Sequence, residues 1–210
     1  AAIFGGAKGQ WIVSLTTVAA LILWRTAHLL WERRQAPMQA FRATIRDFAA
    51  SAFVVIYLPL MTSFAILLLR RPADGAIWVI AFVVTVSMID TAGYLVGRKL
   101  GKHQMAPGVS PKKSIEGLVA SIIAGSISAI LFLVFALHAA WWLGLLFAAV
   151  MLLAAVFGDL AESLIKRDLG VKDMSSLLPG HGGVMDRLDS ILPAALIAYL
   201  FASIFFPIAQ

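Results

Sequence analysis

Between residues 158 and 190 the chain gathers six of its eleven acidic residues. Asp159 and Glu162 stand three apart, followed by Ser163 and Lys166. At 3.6 residues per turn these four share one face of a helix. Asp186 and Asp189 repeat the spacing further on, ahead of Ser190. Two carboxylates one turn apart repel each other unless a cation sits near them. Lys166 is one candidate for that cation and a metal is another, since carboxylate oxygens are the hard donors that magnesium prefers. Between the two pairs lie Arg167, Lys172, Asp173 and the turn Pro179-Gly180-His181-Gly182-Gly183. A glycine turn of this kind lets backbone N–H groups approach a phosphate closely. An intrahelical ion pair, and helix capping by Asp186 and Asp189, would account for part of the pattern. Two carboxylate pairs joined by a loop with Lys166, Arg167 and Lys172 exceed what capping requires.

A second constellation lies upstream. It comprises Asp90-Thr91 with Tyr94, Gly97-Arg98, and then Ser110-Pro111-Lys112-Lys113-Ser114 with Glu116-Gly117. Pro111 fixes the chain just before the two lysines. Lys112 and Lys113 could serve only to attract anionic lipid headgroups, but the flanking serines offer hydroxyls to a phosphate. Taken together, these groups suit phosphoryl or nucleotidyl transfer, in which carboxylate-bound cations and basic side chains neutralise charge on the transferring phosphorus. Neither Gly-x4-Gly-Lys-Ser/Thr nor Gly-x-Gly-x-x-Gly occurs, which excludes a P-loop kinase and a dinucleotide-binding enzyme.

The elements that must position these groups are membrane helices. Of 210 residues, 61% are hydrophobic and 13% charged, against about 45–50% and about 25% in soluble domains. Apolar runs near 11–31, 48–69, 76–96, 115–137, 141–165 and 191–207 predict six spans in an all-α polytopic bundle. The chain divides into N-terminal membrane helices over 1–75 and a catalytic membrane domain over 76–210. There is no cysteine, so disulfides and thiolate metal sites are excluded. The net charge of +6 reads as an orientation signal and not as a nucleic-acid footprint. Thirteen Lys and Arg residues fall in the three long loops and three in the opposite segments, while Arg25 lies within a span. The long loops are therefore expected on the cytoplasmic face, in a multi-pass protein of a bacterial-type inner or plasma membrane. A transporter using Asp90, Asp159 and Glu162 as ion sites fits less well, because the carboxylates gather at one face and no paired broken spans are visible. The Asp-Gly-x-x-Ala-Arg motif of CDP-alcohol phosphotransferases is absent.

From Asp90 to the C-terminus the chain resembles the phosphatidate cytidylyltransferases, or CDP-diacylglycerol synthases. The resemblance rests on Ser163-Leu164-Ile165-Lys166-Arg167, Lys172-Asp173 and the run from Leu178 to Asp189, with the two upstream motifs in matching order. It implies that phosphatidate (phosphatidic acid) attacks the α-phosphorus of CTP, giving CDP-diacylglycerol and pyrophosphate, with magnesium and an accompanying potassium. It also implies that Asp159 and Asp186 hold the catalytic cations, with Glu162, Asp189 and Asp173 linked to them. By the same resemblance, Lys166, Arg167, Lys172, Lys112, Lys113 and Arg187 bind the phosphates of CTP and of the lipid. Asp90, Ser110, Ser163, His181, Gly182 and Gly183 complete the expected substrate site. Family members pair as homodimers in the bilayer and carry further N-terminal spans, so a chain starting at Ala1 is expected to lack some of them. Gly93 and Ser114 depart from the Ala and Thr common in the family. A CTP-dependent lipid-alcohol kinase of the dolichol or phytol type is the alternative; it would release CDP instead of pyrophosphate.

Overall fold

The computed structural model describes residues 2–32, 56–106, 110–169 and 189–207. They are predominantly helical and fall into two compact units, Ala1–Leu67 and Leu68–Gln210. The first unit holds α1 (Ala2–Glu32), a π-helical turn at Ile56–Leu60 around Pro59, and most of α2 (Met61–Leu69). α1 bends at Gly6, whose φ of 58° only glycine adopts readily.

The second unit carries the site. α3 (Gly75–Leu100) leads into a short antiparallel hairpin, β1 (Gln104–Ala106) and β2 (Ser110–Ser114), with Gln104 opposite Ser114 and Ala106 opposite Ser110. α4 (Ile115–Leu131) continues through a π-helical turn at Phe132–Ala136, and the chain reverses through His138 into α5 (Trp141–Leu169). α6 (Ile191–Phe205) closes the unit.

Among the described residues, four helical segments are long and apolar enough to cross a membrane: Lys8–His28, Gly75–Leu100, Ile115–Ala136 and Trp141–Leu164. Of the six expected spans, four are thus found at full length among the described residues, and the other two coincide with shorter apolar helices at Tyr57–Leu69 and Ile191–Phe205. The second of these starts only after the Asp189–Ser190 turn and ends before Pro207, so its 15 residues reach about 22 Å against a hydrocarbon core of about 30 Å. Residues 48–55 of the second expected span lie outside the described residues. Much of the surface is apolar: Phe135 is 71% exposed and Ile204 68%. A soluble protein rarely shows so much exposed aromatic and aliphatic surface; this is the exterior of a membrane protein.

Small residues let α3 and α4 approach closely. A Cβ on Gly117 would lie 2.7 Å from the Gly93 carbonyl oxygen and 3.2 Å from Gly97 Cα. The Ser121 hydroxyl donates 2.7 Å to the Ile89 carbonyl and ties the same helices together. At the opposite end of α3, Trp78 is fully buried, with ring centroids 5.6 Å from Phe147 on α5 and 5.1 Å from Phe206 beyond α6.

Candidate active site

Four pieces of backbone meet around one cavity of about 570 Å³. They are the C-terminal half of α3, the end of β2 with the start of α4, the C-terminal half of α5, and the turn that leads into α6. Each brings a polar group: Asp90 from α3, Lys113 and Ser114 from β2, Asp159 from α5, and Asp189 with Ser190 from the turn. Apolar residues such as Ile89, Leu152 and Val156 line the rest. The cavity is therefore amphiphilic.

Local structure explains why the groups converge. Ser114 caps α4, its hydroxyl accepting from the Gly117 N–H at 3.1 Å; such caps stabilise a helix by about 1 kcal/mol. The cap ends β2 and fixes the direction in which the preceding Lys113 leaves the strand. Gly158 brings the turn and α5 together, since a Cβ there would collide with the Asp189 carbonyl oxygen and lie 2.9 Å from Pro193 Cγ. Asp159, the next residue, is thereby placed beside the turn. The Asp189 carboxylate accepts from its neighbour's N–H at 2.7 Å and hydroxyl at 3.0 Å, which orders Ser190 at the head of α6.

Among the described residues the cavity lining is acidic with one basic counterweight. Asp159 forms an ion pair with Lys113. Asp159, Asp189 and Lys113 all lie near enough to Asp90 to act on its charge. An acidic pocket of this kind attracts cations, and its lysine supplies the one described amine to an anionic ligand.

Of the four expected carboxylates, Asp159 and Asp189 line the cavity, and Asp186 lies outside the described residues. Glu162, one turn on from Asp159, is buried at 3% exposure and is not among the lining residues. Ser163 is half-buried and also outside the lining. Among the described residues no group of three or more Asp, Glu or His side chains is placed to hold a metal ion. Oxygen donors of the right kind are present in Asp90, Asp159 and Asp189, but these three alone do not form a ligand set. Lys172, Asp173, His181, Gly182, Gly183, Asp186 and Arg187 lie outside the described residues. Lys166 and Arg167 belong to the last turns of α5, and Ser110 and Lys112 to β2. Ser114, read in the sequence as a hydroxyl for a phosphate, does line the cavity. Ser121 and Ser190 line it without having been given a role there. Ser190 sits beside Asp189 in a motif, which is the signal that could have found it, while Ser121 stands inside an apolar run with no such signal.

The model of the cytidylyltransferase family matches residues 3–205. The chain is 46% identical over 155 residues to a phosphatidate cytidylyltransferase of Mycobacterium leprae, covering 74% of this chain and 49% of that protein. It is 44% identical over 156 residues to the protein of that name from Mycobacterium bovis, covering 74% and 51%. With that of Staphylococcus saprophyticus it shares 37% identity over 121 residues, covering 57% and 46%. The chain spans about half the length of the curated relatives it matches. With a family match running from the start of α1 to the end of α6, the chain belongs to the cytidylyltransferase family.

Proposed function

We propose that this chain carries the site of a CTP:phosphatidate cytidylyltransferase, a nucleotidyltransferase of phospholipid biosynthesis that makes CDP-diacylglycerol and pyrophosphate. The observation that carries this reading is the amphiphilic cavity itself, in a chain of this family. Lys113, Asp159, Asp90 and Asp189 stand at one end of apolar helices, where a lipid phosphate and a soluble nucleotide can meet. The relatives' name supplies the two substrates.

In the reaction, a phosphatidate phosphate oxygen attacks the α-phosphorus of CTP. The new P–O bond forms as the bond to the β-phosphate oxygen breaks, and pyrophosphate leaves with the electron pair. The attacking oxygen is already anionic near neutral pH, so no strong general base is needed. Lys113, held in place by its ion pair with Asp159, offsets the charge of the phosphates. Lys112, Lys166, Arg167, Lys172 and Arg187 are proposed to share that task, with Asp173, Ser110, Ser163, His181, Gly182 and Gly183 around the nucleotide and headgroup. Magnesium, with potassium as a second cation, would neutralise charge at the transferring phosphorus when bound. Asp159 and Asp189, joined by Asp186 and Glu162, are the donors proposed for it. The excess of Lys and Arg in the long loops supports a multi-pass protein of the inner or plasma membrane, with this site facing the cytoplasm. The family resemblance supports a homodimer.

The test is product identity. Protein reconstituted with phosphatidate, magnesium and CTP labelled in the base and γ-phosphate should yield labelled pyrophosphate and a cytidine-labelled lipid. Release of CDP with a newly phosphorylated lipid would overturn the reading in favour of a lipid kinase.

A further inference from the structure

One polar cluster lies beside the cavity without lining it. At the start of α4 the Glu116 carboxylate faces back across the hairpin to the residues that follow α3. Oε1 lies 2.8 Å from His103 Nδ1. Oε2 accepts from the backbone N–H groups of Lys102 at 3.1 Å and His103 at 3.3 Å. The Ile115 N–H completes the join by donating 2.9 Å to the His103 carbonyl. One side chain thus gathers both ends of the hairpin, because His103 precedes β1 and Glu116 follows β2 by two residues.

We propose that Glu116 is a positioning residue: through His103 and two backbone amides it closes the base of the hairpin, and so holds Lys113 against Asp159. A two-stranded hairpin is marginal by itself, and this one has only a three-residue and a five-residue strand. Its geometry must come from what clamps its ends. The Ser114 cap fixes one end on α4, and the Glu116 contacts fix the other against the end of α3. Lys113 sits next to that cap, on a flexible four-carbon stem. If its backbone root shifts, the ammonium group loses its aim at Asp159, and a misplacement of about 1 Å in a reacting group costs on the order of a hundredfold in rate.

The pair is exposed, with side-chain accessibilities of 73% for His103 and 27% for Glu116. Exposed ion pairs contribute little to global stability. Removing this one should therefore show in the geometry of the hairpin and in turnover, and hardly in Tm. That separates a positioning role from a structural one.

The inference rests on the reading of Lys113 and Asp159 as part of the reaction site, so the test has one arm that needs no turnover. The chain has no cysteine, and both Gln104 and Ala161 are exposed. Spin labels on Gln104→Cys and Ala161→Cys report the distance from hairpin to α5. That distance should be narrowly distributed with Glu116 in place, broad in Glu116→Ala, and narrow again in Glu116→Gln, whose amide oxygen still accepts the backbone N–H groups. In the catalytic arm, Glu116→Ala should lower kcat roughly tenfold with KM for CTP little changed. It should add almost nothing in a Lys113→Ala background. An unbroadened distance in Glu116→Ala, or the same loss with and without Lys113, would overturn the proposal. If no cytidylyl transfer is detected, the proposed function fails while the distance arm still decides the positioning role.

Discussion

Gly93 shows how little room a single residue leaves on the wall of the cavity. A Cβ there would collide with the Ser121 hydroxyl, which is held by its bond to the Ile89 carbonyl at 2.7 Å. Alanine is therefore not a neutral exchange here. Ser121 is buried at 7% exposure, so a hydroxyl forced to rotate gives up its bond without water to replace it. Gly93→Ala should destabilise the protein by about 1–2 kcal/mol. Gly93→Ala with Ser121→Ala should cost less than Gly93→Ala alone, because the second change removes the colliding atom. Thermal unfolding of the three variants in the same detergent tests this non-additivity; equal losses in the single and double variants would show that the collision is not the cause.

At the scale of elements, the site depends on how closely helices without bulky residues can meet. Gly158 is the point where α5 receives the turn before α6, and any side chain there must push the Asp189 backbone away. Gly158→Ala should therefore move Asp189 and Ser190 out of the cavity and lower turnover about a hundredfold, while α5 itself gains helix propensity of up to about 1 kcal/mol. Unchanged activity in that variant would show that the turn can shift without harm to the site. The sequence makes the long helices legible, because runs such as 76–96 and 141–165 are apolar over a whole span. It makes α6 only partly legible, since hydropathy alone does not show where the preceding turn stops. The hairpin is not legible at all: Gln104–Ala106 and Ser110–Ser114 lack the alternation that marks strands, and their pairing comes from the ends of α3 and α4 that bracket them. The same holds for Glu116 and His103, thirteen residues apart, whose meeting requires the hairpin first. The carboxylate spacing in turn identifies a helical face for Asp159 and Glu162, but not how narrow the cavity is along it. Only Asp159 lies within its lining.

At the scale of the molecule, the C-terminal unit keeps its chemistry and its stability at opposite ends of α3. Asp74 at its start and Asp90 further on are separated by about 24 Å of helix. At the Asp74 end, Arg71 is buried and makes two 2.8 Å bonds to the Asp74 carboxylate. It also donates 2.7 Å to the Phe206 carbonyl, just past the end of α6, and 3.4 Å to that of Ala202, which also accepts the Phe206 N–H. The Trp78 indole donates 2.9 Å to the same carboxylate, so the aromatic core and the clasp share one group. The Arg71 guanidinium holds the Asp74 carboxyl below its ordinary value of 3.8, against the opposing push of burial, and Trp78 lowers it further. A group whose folded pKa lies below its unfolded one contributes its stability above the unfolded value and loses it as pH falls through the folded one. The clasp should therefore be intact at neutral pH and weaken as the pH falls below 3.8. Unfolding followed by tryptophan fluorescence should show Tm dropping in that acid range for the native chain. Asp74→Asn should be less stable than the native chain at pH 7 and lack this part of the acid dependence, with the spin-label distance from Gln104→Cys to Ala161→Cys unchanged. If the asparagine variant lost stability in acid as steeply as the native chain, the carboxylate that opens α3 would not be the group whose protonation loosens this end of the bundle.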